Sequence, residues 1–356
     1  MRALLRILLL ISAVLLIIFY LNISVEDDSE VLVDERSSSP ELDQSLIEDE
    51  SIKQDPALKL PKTGLLTLVG KSTLELEKEL GRPMRVDPTY YGYDWWIYNS
   101  DLSNYIQVGV ADDKVVTVYA IGPNVDITPF KIGQPIERIY ASAYIEPNIS
   151  LEYDGSSYRF ELSEADMNTR PLLQMGDVYV QLYFDKFDGI LSSIRLLDAE
   201  TLIKLRPYEL VYLGDLLEVS PAEEGAEEEV EKGSQLQILD ITNIMRERHQ
   251  LNRLGFDEKT TIVAYNHSKD MFETEDFSHT SEKYGELSDR LEAGEVFYQL
   301  AGENIAANYI DAPAVMEGWL NSKGHRETML NDKFTHIGVG VYKKHYTQNF
   351  IQKWEE

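Results

Sequence analysis

A long apolar run at the start of the chain sets the first limit on what this protein can fold into. Residues 3–21 are almost all Leu, Ile, Val, Phe or small side chains, and Arg6 is the one charged residue among them. About 20 apolar residues suffice to cross a bilayer as a helix, and a charge near its end can reach the headgroups. The positive charges, Arg2, Arg6 and the amino terminus, lie at the start of the run and acidic residues follow it, so the N-terminus is expected in the cytoplasm.

The sequence therefore predicts an uncleaved transmembrane signal-anchor over residues 1–23, with the bulk of the chain outside the cell membrane. Secretion after cleavage of a signal peptide is the alternative localisation. Against it, residues 19–24 read Phe-Tyr-Leu-Asn-Ile-Ser and offer no small-x-small cleavage site.

The composition excludes several classes of site and partner. The chain has no cysteine, which excludes disulfides, thiolate nucleophiles, Cys-ligated zinc and a lipoprotein anchor. Its formal net charge of −29 would repel phosphates, so we expect no nucleic-acid partner. Hydrophobic residues make up 43% of the chain, which is ordinary for globular domains with real cores. An exported protein without cysteine fits a Gram-positive cell envelope.

Two acidic segments divide the chain. Residues 24–60 are rich in Asp, Glu and Ser without apolar periodicity, which predicts a disordered stalk. Residues 214–233 contain a second acidic run and are interpreted as a linker. These boundaries leave two folded regions, 61–213 and 234–356.

Residues 61–213 show the pattern of a β-rich domain made of two related units, about 64–125 and 126–200. Each unit is predicted to be a short helix followed by a strand meander, and the first helix starts at a capping box of Ser72 and Glu75. In the second unit we predict strands near 157–162, 177–184 and 190–197.

Residues 234–356 change to helical periodicity, followed by two strands near 337–341 and 347–351. The predicted fold class is therefore α+β, with a C-terminal α-β-α sandwich. All six histidines of the chain lie in this region, at positions 249, 267, 279, 325, 336 and 345. Candidate metal ligands and proton-transfer groups are thus concentrated in one domain.

Several motifs in this region occur in the order typical of one family. They are Asn243-x-x-Arg246, Asn266-His-Ser-x-Asp-Met271, Phe277-Ser-His279, Gly302-Glu-Asn-Ile-Ala306, Ser322-x-Gly-His-Arg326, His336-Ile-Gly-Val-Gly340 and Tyr346-Thr-Gln348. In these motifs the chain resembles the CAP superfamily (cysteine-rich secretory, antigen 5 and pathogenesis-related proteins, or SCP-like) in its cysteine-free bacterial form. The anchor, stalk and β-rich region resemble the CAP-associated N-terminal domain, which brings no established activity.

The resemblance implies a cleft that gathers two His and two acidic residues, where some relatives bind a divalent ion. His279 matches the first His and Glu303 the first acid, whereas the second acid falls on Ser322. The last His is matched by His336 or replaced by His325. The candidate catalytic cluster is therefore His279, Glu303 and His325, and the candidate metal ligands are His279, Glu303 and His336, with zinc or calcium as the ion.

Structural roles compete with these assignments. Glu303 and Asn304 could instead cap a helix or tie loop amides together. His267 shares a helical face with Val263 and Met271 and is predicted to be a core residue. His249 and His345 are predicted to lie on the surface.

Three functions follow. The favoured one is a membrane-anchored, non-enzymatic module that binds a small molecule, peptide, lipid or protein of the cell envelope. The alternative is a divalent-metal-assisted hydrolase of the peptidase type, and the third is a pure scaffold. The sequence leaves enzymatic activity open.

Overall fold

The structure, a computed structural model, describes residues 59–219 and 225–354. The predicted signal-anchor (1–23) and nearly all of the predicted stalk (24–60) lie outside these ranges. Within them, no helix is both long enough and apolar enough to cross a membrane. The predicted fold class is confirmed for the folded part of the chain: a β-rich domain precedes an α-β-α sandwich.

Ten strands and four short helices build the β-rich domain. The strands are β1 Arg85–Pro88, β2 Asp94–Tyr98, β3 Ile106–Ala111, β4 Lys114–Ala120, β5 Asn148–Tyr153, β6 Ser156–Glu161, β7 Leu172–Met175, β8 Val178–Asp185, β9 Ile190–Leu197 and β10 Glu209–Leu213. The helices are α1 Thr73–Leu80, α2 Ile136–Ser142, α3 Glu164–Thr169 and α4 Ala199–Leu205. Seven strands form one antiparallel sheet in the order β1-β2-β3-β4-β9-β8-β7.

The two predicted units, 64–125 and 126–200, meet at the centre of this sheet. Strand β4 closes the first meander and pairs antiparallel with β9, which closes the second. Helix α1 starts at the predicted capping box, where the Ser72 hydroxyl accepts from the Glu75 amide and the Glu75 carboxylate accepts from the Ser72 amide. In the first unit, helix α1 is therefore followed by an unbroken meander of strands β1 to β4.

One predicted strand belongs to a different sheet. The segment near 157–162 forms β6, which pairs with β5 and β10 in a separate three-stranded sheet. Strand β7, which was not predicted, lies beside β8 in the position expected for the 157–162 strand. The reason is the helix α3, which starts at the Ser163 cap directly after β6 and breaks the meander there.

The C-terminal domain adds five helices and four strands to the described residues. The helices are α5 Glu227–Arg248, α6 Glu258–Thr274, α7 Leu287–Ala293, α8 Ala312–Leu320 and α9 Lys323–Met329. The strands are β11 Gly255–Phe256, β12 Leu300–Ala307, β13 His336–Tyr342 and β14 His345–Gln352. They form one sheet in the order β11-β13-β14-β12.

The alternating glycines of β13 explain how this sheet is sandwiched. A Cβ atom at Gly338 or Gly340 would lie 2.2 or 2.1 Å from the backbone of α6, so only glycine lets that helix approach so closely. The intervening Ile337, Val339 and Val341 point to the opposite face, into the core that α5 and α8 share. Helices therefore cover both faces of the sheet.

For this region one prediction was wrong, and one alternative that the sequence left open does not hold. Helix α5 begins at Glu227, inside the range 214–233 that was interpreted as a linker. The acidic residues 227–229 occupy its first turn, where they interact favourably with the helix dipole, and Val230 is buried. In addition, residues 300–307 form the strand β12, so Glu303 lies in a sheet and not at a helix cap.

The two domains share one continuous core. Aromatic residues of β2 and β4 belong to the same buried cluster as residues of α5 and α8. Arg195 of β9 is fully buried at this junction, where it pairs with Asp311 of the C-terminal domain at 2.7 Å and donates to the Tyr93 hydroxyl at 2.9 Å. A buried ion pair of this kind fixes the relative position of the two surfaces.

Candidate functional site

Glu303 is the centre of the candidate site. It lies on β12, the strand at one edge of the C-terminal sheet, and its side chain is 4% exposed. His279 Nδ1 lies 2.9 Å from Glu303 Oε1, and Arg290 Nη2 donates to Glu303 Oε2 at 2.7 Å. Burial alone would raise the pKa of Glu303, but the His279 hydrogen bond and the Arg290 charge outweigh it and hold that pKa below its usual value.

Arg290 was not predicted as a site residue. It is buried on α7, and its Nη1 donates to the carbonyl oxygens of His279 at 2.9 Å and Gly285 at 2.8 Å. One guanidinium therefore fixes both the loop that carries His279 and the carboxylate that His279 contacts. An arginine in a polar stretch of sequence gives no signal of this role.

His267 lies behind the same carboxylate. Its Nε2 is 3.8 Å from Glu303 Oε1, and the residue is 1% exposed, as predicted for a core position. Burial is the largest effect on His267 and lowers its pKa, although the nearby Glu303 opposes that change. The prediction from helical periodicity gave its burial but not its contact with the site.

His325 is linked to this cluster through Asn304, the residue that follows Glu303 on β12. Its Nδ1 is 2.7 Å from the Ser322 hydroxyl, and its carbonyl oxygen accepts from Asn304 Nδ2 at 3.1 Å. Burial lowers the pKa of His325, and a smaller effect of His279 acts in the same direction. His325 thus joins the neighbourhood of His279 and Glu303 while bonding to Ser322.

The structure places His336 elsewhere. It begins β13, which is separated from β12 by β14, and its Nδ1 lies 2.9 Å from the Thr335 hydroxyl. Burial, followed by the charge of Lys353, lowers the pKa of His336. His279 and Glu303 are therefore brought together, but His336 is not brought to them.

A cleft of about 980 Å³ adjoins the cluster at His325. Its apolar and aromatic lining comes from α6 and the loop after it, from β12 and from α8: Met271, Phe272, Phe277, Ile305, Tyr309 and Trp319. Its polar lining includes Ser322, His325 and His345 together with the acids Glu273 and Glu275. Large apolar walls with a few polar groups are typical of ligand sites.

His345 is a cleft residue that the sequence analysis assigned to the surface. It begins β14, pairs with Ala307 of β12, and packs its ring edge-on against Phe272 at 5.6 Å between ring centroids. Burial lowers the pKa of His345. Its position directly before the Tyr346-Thr-Gln motif was the signal that could have identified it.

Comparison with known proteins agrees with this architecture. The pattern of the cysteine-rich secretory protein family matches residues 239–354, and that of the CAP-associated N-terminal domain matches residues 69–208. The uncharacterized membrane protein YlbC of Bacillus subtilis (strain 168) is 49% identical over 308 residues, which cover 86% of this chain and 89% of that protein.

Two crystal structures have the same overall fold. An extracellular protein containing an SCP domain from Bacillus anthracis (strain Ames) has a TM-score of 0.79 and 44% identity, covering 86% of this chain and 99% of that one. A cysteine-rich secretory protein from Staphylococcus aureus (Mu50) has a TM-score of 0.74 and 30% identity, covering 83% and 98%. Both domains are therefore shared with solved structures.

Proposed function

The chain belongs to the CAP family of cysteine-rich secretory proteins, with a CAP-associated N-terminal domain, and from this we propose that it is an envelope binding module. Its C-terminal cleft receives an extended ligand with apolar side groups, such as a peptide segment, without cleaving it. In this proposal the predicted signal-anchor, residues 1–23, holds the protein in the cell membrane, with the cleft on the outside. This placement is supported by the names of two relatives: YlbC is described as a membrane protein, and the Bacillus anthracis protein is described as extracellular.

One observation carries the binding role: the cleft is large and mostly apolar, whereas the Glu303 carboxylate of the neighbouring cluster is already neutralised. Phe272, Phe277 and Trp319 supply surface that a ligand can cover. Glu303 is held by Arg290 and His279, and its lowered pKa makes it a weak general base. The site therefore offers binding energy but little activated chemistry.

The charges at the cleft narrow the ligand class. Glu273 and Glu275 line the cleft near Phe277, and both carboxylates are exposed to solvent. A peptide that carries a basic residue beside an aromatic or aliphatic one would complement them, because opposite charges favour encounter and register. We expect such peptides to bind better than acidic ones.

The test is a selection of short peptides on the full chain, followed by fluorescence polarisation with the enriched peptides. Phe277→Ser removes an aromatic wall from the cleft and should weaken binding by about 1.5–3 kcal/mol, the value of burying such a side chain. Phe297→Ser is the matched control, because Phe297 is 79% exposed and does not line the cleft. Failure to enrich any peptide whose binding depends on Phe277 would refute the proposal.

A divalent-metal-assisted hydrolase is the second candidate, favoured by the contact of His279 with Glu303 and by His325, which lines the neighbouring cleft. The residues fit a zinc or calcium ion poorly. Arg290 brings a positive charge to within 2.7 Å of Glu303, and His279 directs Nδ1 at the same carboxylate. A cation there would compete with a buried guanidinium for its negative ligand.

Isothermal titration of the full chain with Zn²⁺ and with Ca²⁺ decides between the two candidates. The binding module predicts no stoichiometric metal uptake at this site. Tight uptake that disappears in both His279→Ala and Glu303→Gln would favour the hydrolase and refute our preference.

A further inference from the structure

The turn between β8 and β9 of the N-terminal domain reaches the part of the C-terminal domain that lines the cleft. Residues 186–189 form this turn, and the Asp185 carboxylate shapes it by accepting from the amides of Phe187 at 3.0 Å and Asp188 at 3.1 Å through Oδ1. Its other oxygen, Oδ2, is left for a partner outside the turn. Asp185 is 1% exposed, so that partner must be a close one.

Arg326 of α9 is that partner. Its Nη1 donates to Asp185 Oδ2 at 2.7 Å, and its Nη2 lies 3.0 Å from Asp188 Oδ2. The guanidinium also lies 5.2 Å from the centroid of the Phe187 ring. Two carboxylates and one aromatic ring of the turn therefore contact a single guanidinium. The two donors of an arginine can pair with two acids at once, which lysine cannot do in the same way.

Asn321 makes a second connection to the same turn. Its Oδ1 accepts from the Lys186 amide at 2.9 Å, and its Nδ2 donates to the Phe184 carbonyl at 2.7 Å. An asparagine that pairs with both a backbone donor and a backbone acceptor is fixed in position and in orientation. The N-terminal domain thus holds both Asn321 and Arg326.

These two residues bracket the polar part of the cleft. Ser322 and His325, which bond to each other at 2.7 Å and line the cleft, lie between them in sequence. The corner between α8 and α9 is short, so fixing its two ends limits the positions available to its centre. From the opposite side, Asn304 of β12 holds the His325 carbonyl.

The acids of the turn do not need a metal to explain them. Asp185, Asp188 and His249 place potential ligand atoms within 4.8 Å of one another. Arg326 already supplies the positive charge between the two carboxylates, and it is one of the effects that lower the pKa of His249, after burial. The cluster is therefore an ion-paired contact between domains.

We propose that the β8–β9 turn of the N-terminal domain is a clamp that positions His325 and Ser322 in the ligand cleft. Arg326 and Asn321 are positioning residues. Through them the N-terminal domain contributes to the binding site, although the turn itself does not line the cleft. The proposal rests on the binding function of the cleft for its biological meaning. Its structural content can be tested without any ligand.

The test compares Arg326→Lys with Arg85→Lys in the full chain. Arg85 also bridges the domains, because it pairs with Asp87 of β1 and with Asp240 of α5 at 3.0 Å. Neither β1 nor α5 lines the cleft. The control therefore removes an interdomain arginine fork of the same kind, away from the α8–α9 corner.

The primary readout is the titration of the His325 imidazole by NMR, assigned from the spectrum of His325→Gln. In Arg326→Lys the loosened imidazole should gain solvent, and its titration midpoint should rise by roughly half a pH unit or more. In Arg85→Lys the midpoint should stay in place while urea unfolding reports any loss of stability. The clamp would be overturned if the His325 titration midpoint were the same in Arg326→Lys and Arg85→Lys.

The second readout is the affinity for a peptide selected on the wild-type chain. Arg326→Lys should bind it about tenfold more weakly, and Arg85→Lys should bind it as the wild type does. If no peptide binds the wild type, the envelope binding function fails, yet the His325 titration still decides the clamp. If peptides bind and both variants bind alike, the clamp fails and the binding function stands.

Discussion

The carboxyl group of Glu317 makes the stability of this protein depend on pH in a predictable direction. Glu317 lies on α8 at the domain junction, and it is 3% exposed. Its Oε1 accepts from the hydroxyls of Ser193 at 2.5 Å, Ser192 at 3.1 Å and Tyr119 at 3.3 Å, all of the N-terminal domain. Its Oε2 has no hydrogen-bond partner among the described residues.

Burial has the largest effect on the pKa of Glu317. It raises the pKa of Glu317 from 4.5 to about 7, although the serine hydroxyls and the Arg248 charge act in the opposite direction. A raised pKa means that the folded protein holds the proton more tightly than the unfolded chain does. The favourable contribution is fully present below pH 4.5 and is lost as the pH rises through about 7.

The size of the effect follows from that difference. A change from 4.5 to about 7 is 2.5 units, and each unit is worth 1.36 kcal/mol, so this group contributes about 3 kcal/mol across the interval. Gln in place of Glu317 keeps the shape and cannot ionise. The free energy of unfolding of Glu317→Gln minus that of the wild type should therefore increase by about 3 kcal/mol between pH 4.5 and pH 8.

Urea unfolding of the full chain at several pH values measures this difference directly. Taking the difference cancels the other titrating groups, because both proteins contain them. Glu327→Gln, at an exposed position of α9, controls for the loss of one acidic residue. A difference for Glu317→Gln that stays flat from pH 4.5 to 8 would refute the reasoning about the buried carboxyl.

Two further substitutions test the junction and the cleft. Arg195→Met leaves Asp311 as a nearly buried carboxylate without its cation, and it should lower the free energy of unfolding by about 3–5 kcal/mol in urea titrations; a loss below 1 kcal/mol would contradict this. Gly318→Ala places a Cβ 2.2 Å from the Tyr309 hydroxyl, which lines the cleft, and it should destabilise by about 1–3 kcal/mol. Gly324→Ala meets nothing within 4 Å and is its control, so equal thermal unfolding of the two alanine variants would show that the close contact with Tyr309 does not matter.

Local sequence signals predicted the elements better than their partners. The capping box at Ser72 and the strands predicted near 337–341 and 347–351 follow from residues within a few positions of one another, and the structure has the strands at 336–342 and 345–352. The strand β12 did not, because Leu-Ala-Gly-Glu-Asn-Ile-Ala-Ala lacks the alternation of a half-buried strand. Its identity comes from its pairing with β14, a contact that sequence spacing does not encode.

Only part of the candidate site was predicted from the sequence, again because spacing along the chain does not encode long-range contacts. The family motifs identified His279 and Glu303, whose side chains do meet. Arg290 and His345 were missed because their roles depend on loops and strands folding back over long distances in the chain. His336 was included as a match to the last His of the family's cleft, although the sheet order separates it from the cluster.

The polar character of the domain junction gives the N-terminal domain a role in the cleft. An apolar contact between two domains can slide, because hydrophobic burial has little directional preference. Here the shared core is joined by directed pairs: Arg195 with Asp311, Arg326 with Asp185, and Glu317 with the serines of β9. Such pairs cost desolvation and add little net stability, so their effect is to select one geometry. All three pairs end on α8, on its Asp311 cap or on α9, and these two helices also carry Trp319 and His325. The geometry that the pairs select is therefore that of the cleft.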